Sequence, residues 1–171
     1  NSYELRRELE LKGSIFHTTS DTEVIAYIIT RERINTSSVE EALSSAMDSL
    51  EGAYSLVIMS PSKLIAARDP HGFRPLCYGQ TEDGTYIVAS ESCALDAMGA
   101  EFVRDVEPGE LICVDEKHGI TSYRANCGSK TSLCMYEYVY FARPDSILDG
   151  NEVYSFRQRA GELLAKACPA D

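Results

Sequence analysis

The first fifty residues carry apolar positions at helical spacing. Leu5 and Leu9 fall on one face of a helix expected over residues 3–12, and Gly13 can take the left-handed conformation that stops it. Residues 14–18 read as a short strand. Ser20 with Glu23 three residues on precedes an apolar run over residues 24–29, the capping-box pattern in which side chains satisfy orphan backbone donors at a helix start. Ser38 with Glu41 repeats it ahead of Ala42, Leu43, Ala46, Met47 and Leu50, a stripe that ends at Gly52.

From Ala53 the period shortens. Residues 53–59, 64–67, 76–80, 86–89, 111–114 and 120–123 are strand candidates, separated by turn-forming clusters such as Ser60-Pro61-Ser62-Lys63 and Pro108-Gly109. Ser90-Glu91-Ser92 ahead of Cys93-Ala94-Leu95-Asp96 reads as another helix start. A last helix is expected over residues 151–167, reached through the irregular Arg143-Pro144-Asp145-Ser146. Helices first and an antiparallel meander after them predict an α+β fold in which helices cover sheet faces.

With 171 residues, 44% of them apolar, the chain can bury the core of one domain. A formal charge of −11 without a Lys/Arg cluster excludes a nucleic-acid or anionic-membrane partner, because phosphate binding needs a basic face. No apolar run reaches the ~18–20 residues of a membrane span, and the first residues do not have the order of a secretory signal, so the expected location is cytoplasmic. The six cysteines form no C-x-x-C pair and read as reduced thiols.

Three stretches narrow the reading. They are Thr19-Ser20-Asp21-Thr22-Glu23, Arg68-Asp69-Pro70-His71-Gly72-Phe73-Arg74-Pro75-Leu76, and Cys134-Met135-Tyr136-Glu137-Tyr138-Val139-Tyr140-Phe141-Ala142-Arg143-Pro144-Asp145-Ser146. In that order they resemble the amidophosphoribosyltransferases, a family of class II glutamine amidotransferases. The second stretch is common to that superfamily, and the third is far more specific to this family. The resemblance implies an N-terminal-nucleophile hydrolase fold, a four-layer αββα sandwich that is incomplete here. It also divides the chain into residues 1–133, a glutaminase domain, and residues 134–171, a segment and helix leading toward a phosphoribosyltransferase domain.

The implied parent reaction is hydrolysis of glutamine and transfer of the ammonia to phosphoribosyl pyrophosphate, giving 5-phosphoribosylamine for purine synthesis. Mg2+ in the transferase domain and a homo-oligomeric assembly are implied with it. In such enzymes a cysteine at the first residue of the mature chain is both nucleophile and, through its own α-amino group, base. Here the first residue is Asn1. The nucleophile and the Asn-Gly oxyanion pair are expected to lie upstream, and the chain as it stands to be inactive.

Two residues take roles from the resemblance. Asp21 matches the aspartate that receives the glutamine α-ammonium group, a charge-assisted contact suited to a carboxylate in the first turn of a helix; an acidic residue is favoured there by the helix macrodipole alone as well. Cys134 matches a thiolate ligand of the four-iron cluster found in some members, while cluster-free members also carry cysteine there. Arg68 and Asp69 are candidates to pair with each other. His17, His71 and His118 have no second ligand or nucleophile at a useful spacing. Two other readings stay open: the glutaminase domain of another class II amidotransferase, and a catalytically dead domain of the same fold kept for binding.

Overall fold

A computed structural model describes residues 1–169; Ala170 and Asp171, the end of the expected connecting segment, lie outside the described residues. Helices α1 (Ser2–Leu11), α2 (Asp21–Arg33) and α3 (Val39–Met47) come first. They converge on Leu9, Val24, Ile28 and Ala46, the positions that the helical spacing places on one face of each. The stretch over residues 14–18 is not a strand. Its Ile15 carbonyl accepts from the Tyr27 hydroxyl at 2.5 Å and its Thr18 carbonyl from Arg6 Nη2 at 2.6 Å, so side chains of α1 and α2 satisfy backbone groups that a strand would have paired.

The meander forms two antiparallel sheets. One has the order β1 (Ser55–Ser60), β2 (Lys63–Arg68), β6 (Leu111–Asp115), β7 (Gly119–Tyr123). The other has the order β4 (Tyr86–Ala89), β3 (Cys77–Gln80), β5 (Glu101–Asp105). Strand alternation assigns their faces. Ile65, Ala67, Leu111 and Cys113 pack on Leu43 and Met47 of α3, while Ala66 and Ile112 point the other way, onto Leu76, Tyr78 and Val106. Helix α4 (Ser92–Ala97) lays Leu95 on the outer face of the second sheet, against Cys77 and Ala100. Helices, sheet, sheet and helix make four layers, the αββα sandwich expected. Strand β5 was not anticipated, since Glu101, Arg104 and Asp105 interrupt its apolar positions and mark it as a sheet edge. It crowds β3 at Gly79, where an added Cβ would lie 2.5 Å from the Glu101 carbonyl oxygen.

Residues 134–152 wrap the sandwich. A π-helical turn, Glu137–Phe141, is closed by the Ala142 N–H donating to the Glu137 carbonyl five residues back. It turns Tyr138 inward onto Leu148 and Val153 and leaves Tyr136, Tyr140 and Phe141 exposed. A two-residue ladder of β8 (Ile147–Leu148) and β9 (Asn151–Glu152) then delivers α5 (Val153–Ala167). Glu91 anchors this wrap by accepting from the Arg143 N–H and the Ser146 hydroxyl, each at 2.8 Å.

Arg68 and Asp69 do not pair with each other. Arg68, 1% exposed, forms a bidentate pair with Asp149 at 2.7 and 2.8 Å. Asp69 instead accepts from the backbone N–H groups of its own loop. Asp69 lies one residue past the end of β2, where its carboxylate turns into the loop that follows. Asp149 adopts φ 45°, a left-handed conformation uncommon outside glycine.

Behind this pair sits Asp105. Burial, together with the nearby Asp149 carboxylate, pushes it up to about 6 from the ordinary 3.8, against the pull of Arg68. A carboxyl raised in the fold stabilises it in the protonated form. That contribution is full below about pH 4 and lost as pH rises through about 6. The neutral variant Asp105→Asn is therefore expected to melt above the parent chain at pH 7–8 and level with it below about pH 4, as thermal unfolding followed by circular dichroism would show.

Candidate functional site

Asp21 is the first residue of α2 and is exposed. Ser20 caps the helix, its hydroxyl oxygen accepting from the Thr22 N–H at 3.2 Å. The reciprocal half of the expected capping box is not formed. Glu23 reaches past Ser20 and accepts from the N–H groups of His17 and Thr18 at 2.9 and 2.8 Å and from the Thr18 hydroxyl at 2.6 Å. These donors hold its carboxyl down at about 2, the His17 N–H foremost. Around Ser38 the partner shifts likewise, Glu41 accepting chiefly from the N–H and hydroxyl of Ser37, at 2.9 and 2.8 Å. Glu23 thus fixes the loop that presents Asp21.

Asp21 lines a cavity of about 220 Å3. Leu5, Val24 and Ile25 form its apolar part; Asn1 and residues 50–54 close the other side. Asn1 is stitched to that wall. Its amide donates to the Ser49 carbonyl at 3.0 Å and accepts from the Glu51 N–H at 3.0 Å, while its backbone nitrogen donates to the Glu51 carbonyl at 3.2 Å. Among the described residues the side-chain hydrogen bond to Asp21 is that from the Thr22 hydroxyl, a weak one at 3.4 Å that leaves the carboxylate accessible. A carboxylate over a partly apolar cavity selects a cationic group on a small molecule. None of the six thiols lines it.

The cysteines are all unpaired among the described residues, in line with the reduced thiols expected. Burial pushes Cys77 and Cys113 up to about 12, which keeps them neutral and unreactive. Cys134 is half-buried in a narrow cleft with Arg68, Phe73, Glu137, Tyr138 and Asp149. Among the described residues no three His, Cys, Asp or Glu are grouped to hold a metal ion, so the residues here do not by themselves fit an iron–sulfur cluster. A larger cleft of about 550 Å3 opens by Lys63, Asp115 and His118, where Lys63 pairs with Glu40 and the His118 ring meets Asp115 at 3.0 Å. His71 donates its Nδ1–H to the Lys130 carbonyl at 2.9 Å and His17 donates its backbone N–H to Glu23; no histidine among the described residues lines the Asp21 cavity.

A family model described as a glutamine amidotransferase domain matches residues 1–97. The chain belongs to that family. Over its whole length it is 49% identical to an amidophosphoribosyltransferase of Methanocaldococcus jannaschii and, over 97% of it, 43% identical to that of Bacillus subtilis. It spans 39% and 34% of those relatives. Among solved structures, the glutamine phosphoribosylpyrophosphate amidotransferase of B. subtilis, complexed with ADP and GMP, superposes with a TM-score of 0.92 at 41% identity, covering all of this chain and 37% of that one. A second, described as the allosteric regulatory enzyme of purine biosynthesis, gives 0.93 at 41% identity over 100% of this chain and 36% of that one. The resemblance read from the three motifs, and the amidotransferase fold inferred with it, are thus both shown.

Sequence reasoning named Asp21 as a candidate but not the wall that faces it. Asn1 and residues 50–54 carry no motif, and their proximity follows only from the packing of α1 and α2 on α3. Removing the Glu23 charge tests how Asp21 is held. A carboxyl depressed in the fold contributes above its ordinary value of 4.5, and the contribution is lost as pH falls toward about 2. In Glu23→Gln, amide hydrogen exchange at His17 and Thr18 is expected to speed up at pH 6, with the difference from the parent chain shrinking as the pH approaches 2.

Proposed function

We propose that this domain binds glutamine in the Asp21 cavity and serves as the glutaminase part of an amidophosphoribosyltransferase. The observation that carries the reading is Asp21 itself, an exposed carboxylate at a helix start over a cavity of about 220 Å3, in a chain of the glutamine amidotransferase family. Asp21 would take the α-ammonium group of glutamine, with Leu5, Val24 and Ile25 against its methylenes and the residue 50–54 wall on the far side. The nucleophile would come from outside these residues, consistent with a cavity that no thiol lines. In the whole protein, the ammonia would go to phosphoribosyl pyrophosphate in a transferase domain that uses Mg2+, with residues 134–171 as the connecting segment. A homo-oligomeric assembly belongs to the same proposal, as does Cys134 as a cluster ligand completed by thiolates of another domain. No helix among the described residues is long and apolar enough to cross a membrane.

The first test is kinetic. In an amidophosphoribosyltransferase that contains this domain, Asp21→Ala is expected to raise the KM for glutamine at least about tenfold and to leave activity with free ammonia within about twofold, since it removes binding and not transfer. Equal loss with both nitrogen donors would make Asp21 a structural residue. The chain alone is expected to release no ammonia from glutamine above the buffer blank.

A second test concerns the chain's own association. Strand β1 pairs only with β2, and Val57 and Met59, 55% and 83% exposed, lie on its face toward the sandwich interior, where the three-stranded sheet does not reach. An apolar, unpaired edge templates strand addition. Light scattering is expected to show concentration-dependent self-association of the isolated chain that Met59→Lys weakens; a monomer throughout would mean that β1 is protected.

A further inference from the structure

Arg68 uses all five of its guanidinium N–H donors. Nε donates to the Arg74 carbonyl at 2.8 Å, Nη1 to the Val106 carbonyl at 2.9 Å and to Asp149 Oδ1 at 2.7 Å, and Nη2 to the Gly72 carbonyl at 3.1 Å and to Asp149 Oδ2 at 2.8 Å. Three separate stretches of chain therefore meet at one side chain: the loop after β2, the end of β5, and the turn between β8 and β9. The loop is completed from its other side by Asp69. Its carboxylate accepts from the N–H groups of His71, Phe73 and Arg74 at 3.0, 3.1 and 3.2 Å. Gly72, at φ 66°, has Pro108 Cγ 2.7 Å from where a Cβ would stand, so no larger residue fits this loop as it is packed.

That loop abuts the Asp21 cavity. The Asp69 N–H donates to the Tyr54 carbonyl at 3.0 Å, and residues 50–52 form a partition with the Asp21 cavity on one side and a cleft lined by Pro70, His71 and Phe73 on the other. On the far side of Arg68, the turn at Asp149 is bound to α5. Val153 donates its N–H to the Ser146 carbonyl at 3.0 Å, and the Tyr138 hydroxyl donates to the Leu148 carbonyl at 2.8 Å. A buried ion pair is weak warrant for stability, because apolar side chains of equal volume serve as well. Five directed bonds to three stretches instead set relative position.

We propose that Arg68, clasped by Asp149, is a positioning residue through which the β8–β9 turn and α5 set the partition of the Asp21 cavity, so that releasing the clasp weakens glutamine binding. The assignment rests on the glutamine reading of that cavity; the coupling itself rests on the bonds described. It predicts communication between the segment leading out of the domain and the ligand cavity, carried by one loop.

The test uses Asp149→Asn and Arg68→Lys, the first removing the charge with little change of shape, the second the bidentate fork. In an amidophosphoribosyltransferase containing this domain, both are expected to raise the KM for glutamine about fivefold or more while ammonia-supported activity stays within about twofold, and Asp149→Glu to recover part of the loss. In the chain itself, hydrogen exchange in Asp149→Asn is expected to rise at Gly72, Phe73 and Arg74 and also at residues 50–54. An unchanged KM with exchange confined to the loop and the β8–β9 turn would overturn the coupling, as would parallel loss with both nitrogen donors. Asp21→Asn, run alongside, separates the two readings. If it leaves the glutamine KM unchanged, the glutamine assignment of the cavity fails, and the exchange at residues 50–54 still decides the coupling.

Discussion

A guanidinium buried to 1% exposure is the constraint around which the second half of this molecule is arranged. Arg68 stays charged, and a buried charge is tolerable only with every donor met. Its position at the end of β2, a strand paired on both sides, rules out solvent as the partner. The acceptors come instead from the loop that follows, from the carbonyl after β5 and from Asp149. Meeting them fixes where the loop turns, where β5 ends and where residues 146–150 dock. The left-handed conformation of Asp149 is sustained by the bidentate pair its side chain gains.

Around that point the packing is uneven. The four-stranded sheet is covered by α3 and Ile29 of α2 on one face and by the narrower sheet on the other, so its β1 edge extends past the cover. Leu56 and Ile58 pack beneath the helices, while Val57 and Met59, which alternate with them, meet nothing comparable. The same strand is therefore core on one side and open on the other. The lining of the Asp21 cavity ends at Tyr54, the residue before β1.

The cavity owes its shape to side chains that substitute for regular backbone pairing. Residues 14–18 could not be both a strand and the approach to α2; Glu23, Arg6 and Tyr27 supply the acceptors and donors that a neighbouring strand would have given. The result is a short, held loop that delivers a carboxylate at a helix start. Helix-terminal positions suit this purpose because their backbone groups are free to be organised by side chains.

The amino-acid pattern by itself was sufficient for the helix starts at Ser20 and Ser38, six of the nine strands, the α+β class and, through three motifs, the family. These features are local: apolar spacing and cap residues act over a few positions, and the motifs are contiguous. Strand β5 escaped because an edge strand has less need of apolar alternation, and the π-helical turn because one extra residue in a turn leaves no mark on spacing. Tertiary structure alone decided that Arg68 would pair with Asp149, 81 residues away, and not with adjacent Asp69. It likewise decided that Glu23 would serve His17 and Thr18, and that Asn1 would face Asp21 across a cavity. Charged and polar side chains have many eligible partners along a chain, and only the packing of apolar faces determines which of them come within hydrogen-bonding distance.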